Sequence, residues 1–291
     1  MKELVVFTVV GLVIFMFCST RDENPFFSEY NTPFQTPPFH LIKTVHYMPA
    51  FKEGMKQQRA EIKQIVKNPQ VPTFENTIEA FERSDALLTK VDNVFDNMRS
   101  ALTNDELQII AKEVAPLLSK HSDDIFLDEG LFKRVKTVYE NRAEFNLNQE
   151  QKMLLKETYK AFVRGGANLP EDKKAEFREI NKELSLLSIQ FGENVLEEDN
   201  AFELLIEDEN DLAGLTEAII TSAAEAANER GHSGKWVITL HKPSFIPFLQ
   251  FSEKRELREK VFKAYINRAN NSNEYDNKEI LKKMVDLRLK R

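Results

Sequence analysis

Apolar residues return at intervals of three and four along most of this chain, and that rhythm predicts a protein built of helices. The rhythm is clearest after the stretch 71–78, which reads Val-Pro-Thr-Phe-Glu-Asn-Thr-Ile. Pro72 ends one run, Thr73 can turn its hydroxyl onto a free backbone N–H of the next, and Glu75 adds negative charge to the first turn. Phe74, Ile78, Phe81, Leu88, Val91 and Phe95 then mark one face, with a polar skip at Asp85, so a helix is predicted from Thr73 to about Ser100. Ahead of it, Pro49 suits a first helical position, and Phe51, Met55, Gln58, Ile62 and Ile65 follow at helical spacing until Asn68-Pro69 stops the run.

Beyond residue 100, Thr103 and Glu106 have the spacing of a capping box for a helix carrying Leu107, Ile110, Val114 and Leu117. Pro116 lies inside that pattern and predicts a break near Ala115. Two more helices are predicted over about 128–141 and 148–163, the second closed by Gly165-Gly166. The cleanest amphipath starts at Pro170, with Phe177, Ile180, Leu184, Leu187, Phe191 and Val195 along one side. Residues 202–207 and 235–240 are short and β-prone around an alanine-rich helix at about 216–230, which predicts a small β-α-β insert. Pro243 and Pro247 read as a loop leading to a helix capped by Ser252, with Leu257, Val261, Ala264, Tyr265 and Arg268 on one side. The asparagine cluster 270–273 reads as a solvated loop, and Asn277 can cap a last helix bearing Ile280, Met284 and Leu287. That helix shows no closing glycine or turn and looks cut. No pattern recurs at a fixed period, which argues against a regular solenoid.

Composition strengthens this picture. Nine glycines, 22 phenylalanines and 30% charged residues in 291 positions point to long helices with bulky core faces, so the fold class is mainly α. A net charge of −7 with no basic stripe removes the phosphate attraction on which nucleic-acid binding depends. The single cysteine, Cys18, excludes an internal disulfide and a Cys-rich metal site.

Three regions follow. Residues 1–20 form a leader in which the nearly unbroken apolar run 4–17 is short for a bilayer span and right for a signal-peptide core. Cys18 stands where a lipoprotein attachment cysteine would, although Phe15, Met16 and Phe17 replace the small residues expected before it. Export is therefore expected, to a periplasmic or membrane-anchored lipoprotein location, with the membrane touched only through the leader. Residues 21–48 form a proline-rich arm whose Phe26, Phe27, Tyr30, Phe34 and Phe39 supply surface for lying against the body. Residues 49–291 form the helical domain.

Several stretches also carry a family resemblance. Pro72-Thr73-Phe74-Glu75-Asn76-Thr77-Ile78, Pro37-Pro38-Phe39, His46-Tyr47-Met48-Pro49-Ala50, Phe162-Val163-Arg164-Gly165-Gly166-Ala167, Trp236-Val237-Ile238-Thr239-Leu240 and Leu287-Arg288 resemble the N-terminal region of the zinc oligopeptidases. These are the thimet oligopeptidase, oligopeptidase A and peptidyl-dipeptidase Dcp type, and the resemblance is strongest to the last. It implies a helical wall of a deep channel that admits oligopeptides. It also implies a zinc held by two histidines and a glutamate in a catalytic half, where water is activated and peptides are cleaved, with release of C-terminal dipeptides in Dcp-type members. The motif for that zinc, His-Glu-x-x-His, does not occur in these residues. The expectation is thus an N-terminal half truncated before its catalytic domain, inactive alone and monomeric when full length, whose partners are the oligopeptide substrate and its own catalytic domain. A different reading is a complete, non-catalytic helical binding protein tethered outside the membrane.

The residues themselves offer little chemistry. His40 and His46 stand six apart in the arm, His121 stands alone, and His232 and His241 flank a strand. Glu229-Arg230-Gly231-His232 has a Glu-x-x-His spacing but no second copy. Asp123-Asp124 and Asp128-Glu129 lack the alternating oxygens of a calcium loop and read as helix-start charges. No catalytic or metal-binding residue is assigned in this chain, and its substrate-contacting residues are left unassigned.

Overall fold

The structure, a computed structural model, describes residues 24–291. The signal-peptide core and Cys18 lie outside the described residues. Eleven α-helices and two short strands follow one another among the described residues: α1 (Thr44–Lys67), α2 (Ala80–Glu82), α3 (Ala86–Ala101), α4 (Asp105–Phe126), α5 (Glu129–Glu140), α6 (Gln149–Arg164), α7 (Glu171–Ala201), β1 (Leu204–Ile206), α8 (Glu217–Glu229), β2 (Trp236–Ile238), α9 (Lys242–Phe251), α10 (Arg255–Ile266) and α11 (Lys278–Lys290). The mainly α class is as the periodicity predicts. No described helix is long and apolar enough to cross a membrane.

The stretch 71–78 does start a helix, with wider turns than an α-helix. Phe74–Glu79 is π-helical and runs into the single turn α2. The Thr73 hydroxyl accepts the Asn76 N–H at 3.2 Å, and Asn76 Oδ1 accepts the Thr73 N–H at 2.9 Å, a reciprocal cap. That same Oδ1 also accepts from Arg134 Nη2 at 2.9 Å and from the Thr77 hydroxyl at 2.8 Å. The other terminal nitrogen of Arg134, on α5, donates to the carbonyls of Asn68 and Gln70, so one buried guanidinium ties α5 to the whole proline-bounded loop. The predicted single helix from Thr73 to Ser100 breaks at 83–85, where Asp85 skips the apolar face, and α3 starts afresh at Ala86.

Prolines mislead in three other places. α1 begins at Thr44, not Pro49, and so takes in the last five residues of the predicted arm. Its start is fixed by His46, whose Nδ1 accepts the Lys43 N–H at 3.0 Å. α4 continues through Pro116, and Pro243 and Pro247 lie within α9 instead of a loop. The carbonyls deprived of a partner by Pro49, Pro116 and Pro247 belong to Val45, Lys112 and Pro243, all exposed residues, where water can replace the lost bond.

Two caps and one loop also differ from expectation. Asn104, not Thr103, caps α4 by accepting the Leu107 N–H, and Glu106 instead takes the Thr44 hydroxyl. Asn277 turns its amide away from α11, donating to the Phe191 carbonyl and accepting from Asn194 on α7. The asparagine cluster is not merely solvated: Asn271 and Asn273 both donate to Glu198 near the end of α7. Of the arm's aromatics only Phe26 is fully buried, against Tyr47 at 5.5 Å between ring centres, while Phe34 is wholly exposed and Phe27 and Phe39 about half so. Lys90 clamps the arm by donating to the Phe26 and Ser28 carbonyls and lying over the Tyr30 ring.

Four apolar clusters result. One joins Phe26, the first half of α1, α3 and the first half of α4. Gly54 makes that crossing possible, since a Cβ there would stand 3.0 Å from the Leu88 backbone. A second joins the end of α1, the π-helical stretch, α5 and α6 around Phe162, whose ring meets Phe81, Phe126 and Phe132 at 5.5, 4.9 and 6.0 Å. The third lies between the two-stranded sheet, α8, α9 and α10. The sheet keeps the predicted order but is antiparallel, with Leu205 opposite Val237. The last joins α7 to α11 through Ile180, Leu184, Leu187 and Leu287.

Urea unfolding monitored by circular dichroism tests this arrangement. Thr73→Ala is expected to lose about 1 kcal/mol, and Asn76→Ala about 2–3 kcal/mol because it leaves three buried donors unmet. Phe162→Ala is expected to lose about 3–5 kcal/mol and Phe81→Ala, only partly buried, roughly half as much.

Candidate functional site

The histidines do not converge. His40 is exposed in the arm, His46 caps α1 in the interior, and His121 is buried between α4 and α1. His232 pairs with Glu203 at 3.1 Å, not with Glu229, and His241 meets Asn200 at 3.2 Å. Among the described residues no group of three or more His, Cys, Asp or Glu side chains could hold a metal ion.

His121 is instead part of a buried polar knot. Its Nδ1 faces Arg59 Nη1 at 3.2 Å and its Nε2 faces Gln58 Oε1 at 2.6 Å. Arginine can only donate, so Nδ1 is the acceptor and Nε2 carries the proton that Gln58 receives. That is a neutral imidazole. Burial, and then the positive charge of Arg59, hold its pKa down at about 4.

One turn further on, the acidic pair Asp123-Asp124 closes α4 and does not start a helix, a correction to the sequence reading; Asp128 and Glu129 do start α5. Tertiary contacts decide the pair's place. Asp124 accepts from Arg178 of α7 at 2.7 Å, and Asp123 Oδ1 accepts from Asn181 at 2.6 Å. Asp123 is buried, its second oxygen has no partner, and burial raises its pKa above the usual carboxylate range. It lines a cleft of about 430 Å³ between α4, the end of α6, α7 and the end of α11, together with Asn181, Phe177, Arg164, Arg288 and Arg291. Sequence reading missed this cleft because its residues come from four separate segments. The only available signal was Arg164 and Arg288, which fall in the resemblance stretches.

A second feature is surface left uncovered. Leu281, Val285 and Leu289 form a stripe along α11, and Phe262 and Ile266 lie one turn apart on α10, all about half exposed or more. The two groups lie on helices that pack into different clusters, α10 with α9 and the sheet and α11 with α7.

No family model matches the chain. Among curated proteins it is 39% identical over 265 residues to the dipeptidyl carboxypeptidase of Escherichia coli (strain K12), a match covering 91% of this chain and 39% of that protein. It is 32% identical over 258 residues to oligopeptidase A of Haemophilus influenzae, covering 87% of this chain and 37% of the relative. A probable cytosolic oligopeptidase A of Arabidopsis thaliana is 31% identical over 264 residues, with 89% and 37% covered. The chain thus spans about two fifths of the length of these relatives.

The buried imidazole makes stability depend on pH. In the unfolded chain His121 takes up a proton near 6.5, whereas in the fold it resists until about 4. The unfolded chain therefore binds more protons between those values. Its contribution is unimpaired above pH 6.5 and is lost as pH falls toward 4, by on the order of 3 kcal/mol at most. Urea midpoints measured from pH 7.5 to 4 should fall, and His121→Gln should flatten the part of that slope between 6.5 and 4.

Proposed function

The chain belongs to the oligopeptidase family that contains dipeptidyl carboxypeptidase and oligopeptidase A, and from that premise we propose that it forms a helical wall of the substrate channel in a longer peptidase. The observation that carries the reading is an identity of 39% spread over 91% of this chain but only 39% of the relative. Such a match is what a non-catalytic portion of a larger enzyme would give.

On this reading the substrates are short oligopeptides and the products are C-terminal dipeptides, in keeping with the name of the first relative. A zinc ion would be held by residues outside those described, where it would activate water for peptide cleavage. The described residues contribute shape: long helices joined by short connections. The apolar stripe on α11 and the Phe262 and Ile266 side chains of α10 are the surface the remainder of the enzyme would cover. The apolar run 4–17 supports export of the whole protein.

Two measurements test the proposal. The reading frame beyond Arg291 should encode His-Glu-x-x-His, and the protein from that longer frame should release dipeptides from the C-terminal end of a short peptide, an activity lost with a chelator and restored by zinc. A stop codon directly after Arg291, or a longer protein that cleaves no peptide with zinc present, overturns the reading. In addition, the 291-residue chain alone should self-associate in light scattering, and Leu281→Glu with Val285→Glu should return it to the monomer.

A further inference from the structure

The cleft between α4, α6, α7 and α11 has an imbalance of charge that the fold does not resolve. Three guanidinium groups line it, Arg164 from the end of α6 and Arg288 and Arg291 from the end of α11. The single carboxylate side chain in the lining is Asp123, already held by Asn181 at 2.6 Å. The neighbouring Arg178 is neutralised by Asp124 at 2.7 Å. Arg291 stacks over the Phe177 ring at 5.1 Å, while Arg164 and Arg288 make no hydrogen bond or ion pair among the described residues. All three arginines are exposed, so water screens their mutual repulsion, and the concavity they line is left with a positive potential that attracts an anion.

The rest of the lining says what kind of anion. Ser119, Ser122 and Ser188 in the lining can donate to oxygen, while Ser185 gives its hydroxyl proton to the Lys182 carbonyl at 2.7 Å. Asn181 is fixed by its bond to the buried Asp123, so it presents its remaining amide groups in one orientation. Phe126, Phe177 and Leu184 give the same cleft an apolar side. Guanidinium groups meet a carboxylate or phosphate through paired N–H groups, and the apolar side favours an oxyanion attached to a small organic body over a bare inorganic ion.

We propose that this cleft is an oxyanion-binding site, anchored on Arg164 and Arg288 and oriented by Asn181, that takes the carboxylate of a short peptide. The oxyanion assignment stands on the cleft alone; the choice of a peptide as its source rests on the peptidase reading. Asp123 is a positioning residue: it sets Asn181, and its negative charge opposes the incoming anion. Loss of that charge should tighten binding, an effect a purely structural role would not produce.

Calorimetric titration of the full 291-residue chain with three probes tests this: acetyl-Ala-Leu with a free carboxylate, the same peptide as its C-terminal amide, and inorganic phosphate. The free carboxylate is expected to bind at least about tenfold more tightly than the amide, and Arg164→Gln or Arg288→Gln each to weaken it by about tenfold. Asp123→Asn should strengthen it severalfold, and added salt should weaken it. Equal binding of the carboxylate and the amide, no binding of any of the three probes, or affinities unchanged in both arginine variants overturns the site. Phosphate binding without a response to the peptide overturns the peptide as source while supporting the oxyanion site. Dipeptide release by the longer protein is scored separately. Release without binding here overturns only this site, and binding here without release overturns only the peptidase reading.

Discussion

One side-chain oxygen, Asn76 Oδ1, meets three donors at once: the Thr73 N–H, the Thr77 hydroxyl and the Arg134 guanidinium. It settles a problem that any proline-bounded loop brings into a core. Pro69 and Pro72 break the chain between α1 and the π-helical stretch, which leaves backbone groups without helical partners at the edge of the core that holds Ile65, Phe74, Ile78 and Leu131. Leaving such groups unmet would cost more than the net gain from an ordinary hydrogen bond. Arg134 and Asn76 together answer for the carbonyls of Asn68, Gln70 and Val71 and for the Thr73 N–H. The direction in which the chain leaves the loop is then fixed, and the second core can close around Phe162.

From there the long helix α7 acts as the spine. Its apolar side packs on α4 and α11, while polar residues beside that stripe reach to neighbours: Arg178 to Asp124, Asn181 to Asp123, Glu193 to Lys112, Glu183 to Lys283 and Asn194 to Asn277. Exposed pairs of this kind add little stability each. Their combined effect is to fix the rotation of α7 relative to α4 and α11. The arginine-lined cleft and the uncovered stripe on α11 both follow from that rotation, since one lies beside the α7–α11 contact and the other on the side of α11 away from it.

The sequence by itself determined the class and the family. Periodicity located the helical segments because burial of one face imposes three-and-four spacing whatever lies opposite, and the signature stretches survived as local motifs. It also located the two strands and the Thr73 cap. Tertiary structure decided whether a proline ends a helix: Pro49, Pro116 and Pro247 do not, because the carbonyls they strand belong to exposed residues and packing on the other face keeps the axis. It decided that only one arm phenylalanine, Phe26, is fully buried, that Asp123 and Asp124 belong to α7's contacts and not to a helix start, and that Asn277 serves α7 before its own helix. It alone assembled the cleft, whose charges come from positions as far apart as Asp123 and Arg291. Spacing along a chain encodes which side of an element seeks a core, whereas a lost hydrogen bond or an unpaired charge is made good by whatever residue the fold brings near.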